Sequence, residues 1–480
     1  FNEFKKIFYF PRVALQKSMG EKNAHLFSAH YNLIDFVNEV SKESYDFSYN
    51  LTPNKLSALL HGQLDSKYKK GVFFKAGIPQ FTNSWSRFYN DYQTTKKTEL
   101  FNNTDIIRWS LDLKDQRDEN KKLETKARSG IFFQVLSSDV RKNWPVASFI
   151  ETVTYAAAKI KRPLYLLYGP GEESLMQPYL AELQMRKLGI IPLCLSFSDL
   201  EKDLEKAELL VSVDTSIKHL GAHLGVRVLE IALGPADTRV TGVYPAFNYI
   251  LQPTLNCFPC RHSSSCEKSH FECKDHLNGQ ILAEIILNIL ENKDESIGKI
   301  VRSGKNNFSI QKTYNLQGIW VSLNLDRPMT AEDIQKIIRK INLYNEMEPE
   351  DPISMDSLYQ ACQKNNLEVE KHEIEANFKV VSLNSKNQLD QAYGLLKQIK
   401  QFSRIKKDAS ELKSFLKLAK TWNQGSHGYV YQLPVANKIE DNFMFLRSLQ
   451  MRLNQFIEEN ENKHHVSRSA SQREVTNEEG

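Results

Sequence analysis

The chain has 480 residues, of which 41% are hydrophobic and 10% aromatic, as expected for a folded protein of more than one domain. Its 63 Lys and Arg residues against 58 Asp and Glu residues give a formal net charge of +5, a mild excess that suits an anionic substrate or a membrane surface without identifying either. We find neither a signal peptide nor an apolar run of the roughly 18 residues that a transmembrane helix needs, so we expect a cytoplasmic protein.

Residues 1–125 are predicted to form a first α/β domain. A strand is expected over residues 45–52, a helix with three leucines on one face over 54–64, and another strand over 71–74, which together make a βαβ unit. The polar residues at the turn are candidate ligand contacts, although loop and helix-cap roles explain each of them as well. They are Asn50, Thr52, Asn54 and Lys55. Because the chain begins at Phe1 without the buried strand and glycine loop that usually open such a domain, we expect upstream sequence to be missing.

Residues 126–295 are predicted to form a second α/β domain of the Rossmann-like type, because apolar strands alternate with helical segments. The strands are expected over residues 130–136, 164–168, 190–195, 207–213 and 226–231. Taken alone, Lys142 is most simply a solvated lysine, and Glu172 a residue that complements a helix dipole. Loops after the carboxyl ends of such strands nevertheless carry ligands, and several polar residues lie there. They are Ser137, Ser138, Lys142, Glu172, Asp214, Thr215, Ser216 and His219.

The segment 211–244 is the most informative part of the sequence. A strand ends at Asp214, a helix begins at Thr215 and Ser216, and His219 follows one turn along. The free N–H groups and the dipole of a helix N-terminus favour an anion such as a phosphate, and the hydroxyls and the imidazole add hydrogen-bond donors. The alternative is an ordinary βαβ unit, in which Asp214 is only a helix cap and His219 a packed core residue.

Four of the six cysteines lie close together in the sequence, with the spacing C-x2-C-x5-C-x6-C. They are Cys257, Cys260, Cys266 and Cys273. Only the first pair has the spacing that zinc sites favour, so three alternatives stay open. These are a structural zinc site, one or two disulfides, which a reducing cytosol disfavours, and free thiols that pack a loop.

Residues 296–457 are predicted to form a mostly helical extension, to which we assign no role. One helix is expected to begin at Thr330 with a capping-box pattern, and further amphipathic helices follow between residues 389 and 457. Apolar stripes of this kind usually pack in a core. The more specific alternative is that one of these basic helices lies on an anionic membrane. Residues 458–480 are polar and are expected to be a disordered tail.

Four segments carry short motifs that are weak signals one by one but together indicate a single protein family. They are YDFSYNLTPNKLSALL at 45–60, K-x-W-P at 142–145, G-P-G-E-E at 169–173, and DTSIKHLGAHLGVRVL at 214–229, which L-G-P-A-D follows. In this order the segments resemble glycosyltransferase family 9, the lipopolysaccharide heptosyltransferase family. The cysteine cluster fits too, since the family often shows C-x-P-C and two further cysteines at this place. The resemblance ends near Lys293.

The resemblance implies a GT-B fold, in which two Rossmann-like domains face a cleft. It also implies inverting transfer of a heptose, or a related sugar, from an ADP-activated donor to a lipopolysaccharide-core-type glycolipid. The implied partners are the nucleotide sugar and the glycolipid, with peripheral contact at the cytoplasmic face of the inner membrane and no nucleic acid. We see no clear Asp-x-Asp motif for a divalent cation, so we expect metal-independent transfer with no cofactor, apart from the zinc alternative at the cysteines.

Roles for single residues follow from the same resemblance. Lys142 would contact the donor phosphates together with the helix start, and Glu172, rather than Glu173, would accept hydrogen bonds from the ribose hydroxyls. Asp214 would bind the sugar or order the turn that follows it. The other candidates form a donor-binding group of Ser137, Ser138, Thr215, Ser216 and His219, and an acceptor-side group of Asn50, Thr52, Asn54 and Lys55.

No catalytic base is assigned. The family places this base on an Asp in a Gly-Asp loop after the first N-terminal strand, and we do not find that element in the sequence. Two rival functions stay open. One is a catalytically inert binding or scaffold protein that keeps the fold, and the other is a family member that uses another nucleotide sugar.

Overall fold

The computed structural model of the chain describes residues 6–15, 26–52, 54–91, 101–113, 128–244, 246–262, 264–266, 268, 270–275, 277–303 and 307–383. All of these residues belong to the compact unit Phe1–Lys406. The predictions made for residues between 389 and 480 lie outside the described residues.

The N-terminal part contains a βαβ unit, as predicted, but with a different second strand. Its elements are α1 (Leu26–Val40), β1 (Tyr45–Tyr49), α2 (Lys55–Gln63), β2 (Ser66–Lys70), β3 (Val72–Lys75), β4 (Ile78–Phe81), α3 (Ser84–Asp91) and α4 (Asn103–Ser110). Strands β1 and β2 pair in parallel with α2 between them, whereas β3 and β4 form an antiparallel pair. The second strand of the unit is therefore not the apolar run at 71–74. It is the sequence SKYKK, whose lysines hide the strand signal.

The second α/β part is built on an open sheet. Its elements are β5 (Gly130–Gln134), a 3₁₀ turn (Val140–Lys142), α5 (Val146–Lys159), β6 (Leu164–Tyr168), α6 (Glu173–Met185), β7 (Ile190–Cys194), α7 (Phe197–Leu204), β8 (Ala207–Val213), α8 (Ser216–His223), β9 (Arg227–Ile231), α9 (Thr238–Thr241), β10 (Tyr249–Pro253), α10 (Glu272–Asp275), α11 (Gly279–Leu290) and α12 (Asp294–Ser303). Neighbours among β5 to β10 pair in parallel, in the order β10-β9-β8-β5-β6-β7. The α/β class and the Rossmann-like second domain are confirmed.

The sheet is wound in both directions from its middle. Strands β5, β6 and β7 run in turn to one edge, and the chain then returns to place β8 on the other side of β5. Helices α5 and α6 pack on one face of the sheet, and α7 and α8 pack on the other. The loops that follow β5 and β8 therefore lead to helices on opposite faces of the sheet. The position between these two loops, called the crevice below, is where doubly wound sheets bind their ligands.

Burial on both faces explains why the central strands are almost continuously apolar. In β5, Ile131 and Phe133 pack into the core under α5, whereas Phe132 between them packs into the core under α8. Every residue of this strand is buried. A parallel strand covered by helices on both sides needs this composition, and the apolar run at 130–136 had indicated it.

Two strands extend the sheet beyond the domain boundary predicted at residue 295. Strand β11 (Phe308–Leu316) pairs antiparallel with β10, and β12 (Ile319–Asn324) pairs antiparallel with β11. The two-residue turn between them is formed by Gln317 and Gly318, with φ of 56° and 85°. Positive φ at both positions is the mark of a tight hairpin, and the alternating residues around this Gln-Gly pair were the signal that sequence reasoning missed.

Among the described residues, three helices follow these strands, and the first of them is the helix predicted to begin at Thr330. They are α13 (Ala331–Met347), α14 (Met355–Lys364) and a helix over residues 371–383. Thr330 and Asp333 form the expected capping box at the start of α13. Ile337 and Tyr344 of this helix pack in one core with Trp85 and Trp109 of the N-terminal part. Residues 308–381 are therefore integral to the described fold.

Candidate functional site

The loops that follow β5 and β8 meet at the crevice. Lys142 lies on the first loop and Asp214 on the second, and the lysine Nζ donates a hydrogen bond to Asp214 Oδ2 at 2.7 Å. Only 13% of the Lys142 side chain and 10% of the Asp214 side chain are exposed. The structure thus brings together two residues that sequence reasoning had placed in one site from separate segments.

The β5 loop is held in a defined shape by its own polar groups. Asp139 caps the 3₁₀ turn by accepting from the Arg141 N–H at 3.0 Å, and the Ser137 N–H donates to Asn143 Oδ1 at 2.7 Å. Trp144, which is fully buried, anchors the end of the loop. These contacts fix the backbone on both sides of Lys142. The side chain of Ser138 is exposed on the same loop.

Asp214 is the centre of a network of charges. Its Oδ1 atom lies 2.6 Å from Nζ of Lys218, so each carboxylate oxygen has its own ammonium partner. Lys218 also donates to the buried carboxylate of Glu230. Burial by itself raises the pKa of Asp214, but the charge of Lys218 and the hydrogen bonds from both lysines outweigh it and lower the pKa to about 2. Asp214 is therefore ionised at neutral pH.

Sequence reasoning missed Lys218 and Glu230. A lysine in the first turn of a helix normally points to solvent, yet both of these side chains are fully buried. Glu230 did carry a signal, since it is a charged residue inside the apolar run of β9. A carboxylate in such a strand needs a buried partner.

The start of α8 differs in two respects from the alternative in which Asp214 is only a helix cap and His219 is a packed core residue. The N-cap is Thr215, whose Oγ1 accepts from the Ile217 N–H at 3.3 Å, so Asp214 is not the cap. Ser216 and His219 are exposed, and His219 is not packed in the core. Although the His219 side chain reaches the surface, protein atoms surround much of its ring, and this partial desolvation, followed by the ammonium of Lys218, lowers its pKa, so the imidazole is neutral at pH 7.

The loop after β6 places Glu172 at the same edge of the sheet. Its Oε2 accepts from the Gly169 N–H at 2.7 Å, which closes the turn. Glu173 opens α6 with an exposed side chain, and hydrogen bonds from backbone N–H groups lower its pKa. Glu173 thus complements the helix N-terminus, while Glu172 stands on the loop beside β5.

The acceptor-side candidates split into two kinds. Asn50 donates from Nδ2 to the Val72 carbonyl at 2.8 Å, and Asn54 caps α2 by accepting from the Ser57 N–H at 2.8 Å, so both amides serve the local fold. Thr52 and Lys55 are exposed. Gly71 turns the chain beside Asn50 with φ of 94°, and a Cβ there would lie 2.7 Å from the Asn50 carbonyl oxygen.

The four clustered cysteines are free thiols, with Cys273 buried and the other three half-buried. Among the described side chains, no three His, Cys, Asp or Glu residues stand together in a way that could hold a metal ion. The Arg141 guanidinium donates to the carbonyls of Arg261 at 3.0 Å and Ser264 at 2.5 Å, which ties the cysteine segment to the Lys142 loop. The choice among a zinc site, disulfides and free thiols stays a prediction.

In the part of the chain that the structure describes, no helix has the length and apolarity needed to span a bilayer.

Residues 34–270 match the family model described as glycosyltransferase family 9 (heptosyltransferase). No curated protein sequence matches the chain.

Solved structures with a similar fold are heptosyltransferases and a member of the same family. The E. coli heptosyltransferase WaaC with ADP is 18% identical, with a TM-score of 0.34 over 48% of this chain and 71% of that one. A family 9 glycosyl transferase from Veillonella parvula is 15% identical, with a TM-score of 0.38 over 55% and 80%. The E. coli ADP-heptose lps heptosyltransferase II is 14% identical, with a TM-score of 0.33 over 55% and 81%.

The family assignment rests on the family model, and the expected GT-B type of fold agrees with it. The match over residues 34–270 assigns the chain to glycosyltransferase family 9, a family of heptosyltransferases, and the chain is therefore a glycosyltransferase.

Proposed function

We propose that the chain transfers a heptose, or a related sugar, from an ADP-activated donor to a lipopolysaccharide-core-type glycolipid with inversion at the anomeric carbon. The observation that carries the proposal is the Lys142–Asp214 pair, at 2.7 Å, beside the N-terminus of α8. A lysine ammonium and a helix N-terminus lie at the switch point of the sheet, and Ser216 and His219 are exposed in the first turn of that helix, an arrangement that suits a diphosphate.

In this proposal the phosphates bind at Lys142 and the N-terminus of α8. The exposed Ser216 hydroxyl and the neutral His219 imidazole each have an N–H or O–H group to donate to phosphate oxygens. These groups stabilise the negative charge that develops on the departing ADP, the largest electrostatic requirement of the reaction. Lysine, helix dipole and hydrogen bonds supply this stabilisation without a divalent cation.

The remaining donor contacts follow from the neighbouring loops. Glu172, held by its bond to the Gly169 N–H, faces the ribose hydroxyls, and a carboxylate accepts from both hydroxyls of a cis-diol. Ser137 and Ser138 let the backbone come close to the nucleotide. Asp214 orders Lys142 and the turn at Thr215, and its carboxylate edge faces the sugar.

On the acceptor side, Thr52 and Lys55 offer exposed polar groups to the glycolipid, whereas Asn50 and Asn54 shape the turn that presents them. The acceptor is a membrane lipid, so the proposal includes peripheral contact with the cytoplasmic face of the inner membrane. No catalytic base is assigned to a residue of this sequence.

The proposal is tested by calorimetric titration of the full chain with ADP-heptose, ADP, UDP and GDP. We expect selective binding of ADP and ADP-heptose, weakened in Lys142→Ala and Asp214→Ala. Lys161→Ala is the matched control, because it removes one exposed lysine at the opposite edge of the sheet, before β6. Selective binding of UDP or GDP would assign another donor. Failure of the folded chain to bind any nucleotide would favour the inert scaffold.

A further inference from the structure

Lys218 occupies an unfavourable position for a cation. Its side chain is fully buried, and it lies in the first turn of α8, where the positive end of the helix dipole repels an ammonium group. A buried charge of this kind persists only when it is paired. Lys218 has two carboxylate partners, Asp214 at 2.6 Å and Glu230.

The second partner is itself fixed. Glu230 is fully buried in β9, and its Oε2 accepts from the Val243 N–H at 2.8 Å. Lys142, Asp214, Lys218 and Glu230 therefore form a chain of alternating charges that runs from the crevice into the interior. Solvent reaches only the Lys142–Asp214 end of this chain, where the exposed fractions are 13% and 10%.

The pairing of Lys218 with Asp214 explains how a carboxylate can lie in the proposed donor site. Asp214 is a carboxylate at a place where a diphosphate is expected to bind, and like charges repel. The carboxylate also holds Lys142, the cation that the phosphates need. If Asp214 had no other partner, moving Lys142 toward a phosphate would leave a poorly solvated charge behind, which is strongly unfavourable.

We infer that Lys218 sets the affinity for the donor diphosphate by supplying the countercharge of Asp214, which leaves Lys142 available to the phosphates. Because its side chain is fully buried, Lys218 cannot touch the ligand and is a positioning residue that acts through Asp214. The inference rests on the proposed function, since it concerns the same donor site. Glu230 pairs with the other side of the same ammonium and shares its charge, so it competes with Asp214 for Lys218.

The test compares ADP affinities of full-chain variants by calorimetry, after circular dichroism has shown that each variant is folded. Lys218→Met/Glu230→Gln removes the buried cation without leaving a buried carboxylate unpaired. We expect it to bind ADP about tenfold more weakly, the size of one charge interaction over several ångströms. Glu230→Gln alone is the matched control and is expected to bind ADP at least as tightly as the wild type, because Lys218 stays. If the double variant does not fold, Lys218→Gln/Glu230→Gln keeps hydrogen-bonding groups in both places and replaces it.

A rescue experiment separates the electrostatic role from a merely structural one. Adding Asp214→Asn to the double variant removes the charge that Lys218 compensates and keeps a side-chain oxygen for Lys142. We expect ADP affinity to return to within about threefold of the wild type. Unchanged ADP affinity in the double variant would overturn the inference, and so would a loss that Asp214→Asn fails to restore. Both results are distinct from failure of the proposed function, in which the wild type itself does not bind ADP.

Discussion

Nζ of Lys142 and Oδ2 of Asp214 lie 2.7 Å apart, although 72 residues separate them in the sequence. They meet because β5 and β8 are parallel neighbours, so the loops at their carboxyl ends emerge side by side. The remaining oxygen of Asp214 is held by Lys218. One carboxylate thus joins the crevice to the interior, and the charge of this carboxylate affects both ligand binding and stability.

The first prediction concerns the acid stability of Asp214. Its pKa is lowered from 3.8 to about 2 in the folded chain, so the ionised carboxylate contributes stability above its ordinary pKa. That contribution is lost as the pH falls through this window toward about 2. We expect the wild type to lose more unfolding free energy than Asp214→Asn between about pH 5 and pH 2.5, as measured by urea unfolding. Equal losses in the two proteins would contradict the ionised, doubly paired Asp214.

The second prediction concerns Asp105, whose pKa is raised rather than lowered, so that its effect on stability has the opposite dependence on pH. Asp105 is fully buried in α4 and accepts from the Trp320 N–H at 2.8 Å, and desolvation raises its pKa to about 7 despite nearby cations. An acid with a raised pKa favours the folded state at low pH and loses this contribution as the pH rises through the folded pKa. Wild-type stability should therefore fall between about pH 5 and pH 8.

Asp105→Asn keeps an oxygen for the Trp320 N–H and cannot ionise. We expect its unfolding free energy to change less than that of the wild type over the same pH range, with the larger advantage at about pH 8. Urea unfolding at the two pH values measures the difference. If the variant follows the wild-type pH profile, Asp105 does not titrate as inferred.

The turn at Asp214 was predictable from sequence, whereas the charges behind it were not. An apolar strand that ends in Asp-Thr-Ser before a helix predicts a strand, a turn and a helix start, and the structure has all three. Phosphate binding at this turn stays a prediction. Lys218 reads as a solvated residue, because charged side chains usually are exposed. Glu230 lies in an apolar strand and so indicates a buried partner, but the sequence does not say which residue that partner is. Only the three-dimensional arrangement, with β9 beside β8, shows that they pair.

The same limit applies to the strands near Gln317. Asn-Gly and Asp-Gly turns are the most reliable sequence signals of a hairpin, and Gln-Gly is a weaker signal. Strand β11 also contains polar residues at positions that become buried, such as Thr313 and Asn315. These residues lower the apparent strand preference, although Asn315 Oδ1 accepts from the Gly318 N–H at 2.7 Å and thereby supports the turn.

The third prediction tests the packing of the C-terminal helices on the N-terminal part. Trp85 is fully buried in the core shared with α13, and its Nε1 donates to Glu348 Oε1 at 2.8 Å. Trp85→Ala should lower the unfolding free energy by about 3–5 kcal/mol, because it empties a large buried volume. Glu348→Gln is the control, since it keeps an acceptor and the packing. A change below about 1 kcal/mol in Trp85→Ala would show that the two regions are energetically separate.

The fourth prediction concerns the capping box of α13. Thr330 Oγ1 accepts from the Asp333 N–H at 3.3 Å, and Asp333 Oδ2 accepts from the Thr330 N–H at 2.9 Å. Removing the hydroxyl in Thr330→Ala should destabilise the chain by about 1 kcal/mol in urea unfolding. Thr330→Ser keeps the hydroxyl and should behave like the wild type. The cap contributes nothing if the two variants are equally stable.

The last prediction distinguishes the states of the cysteine cluster. If the thiols are free as placed, a disulfide-exchange reagent should modify the half-buried Cys257, Cys260 and Cys266 and the exposed Cys194 in a fast phase. Cys273 and Cys362 are buried, and desolvation raises the pKa of Cys362 to about 11, so both should react slowly. The expected burst is four thiols for each chain, and three in Cys194→Ser. A burst of one thiol that grows after a zinc chelator is added would instead show that the cluster holds a metal.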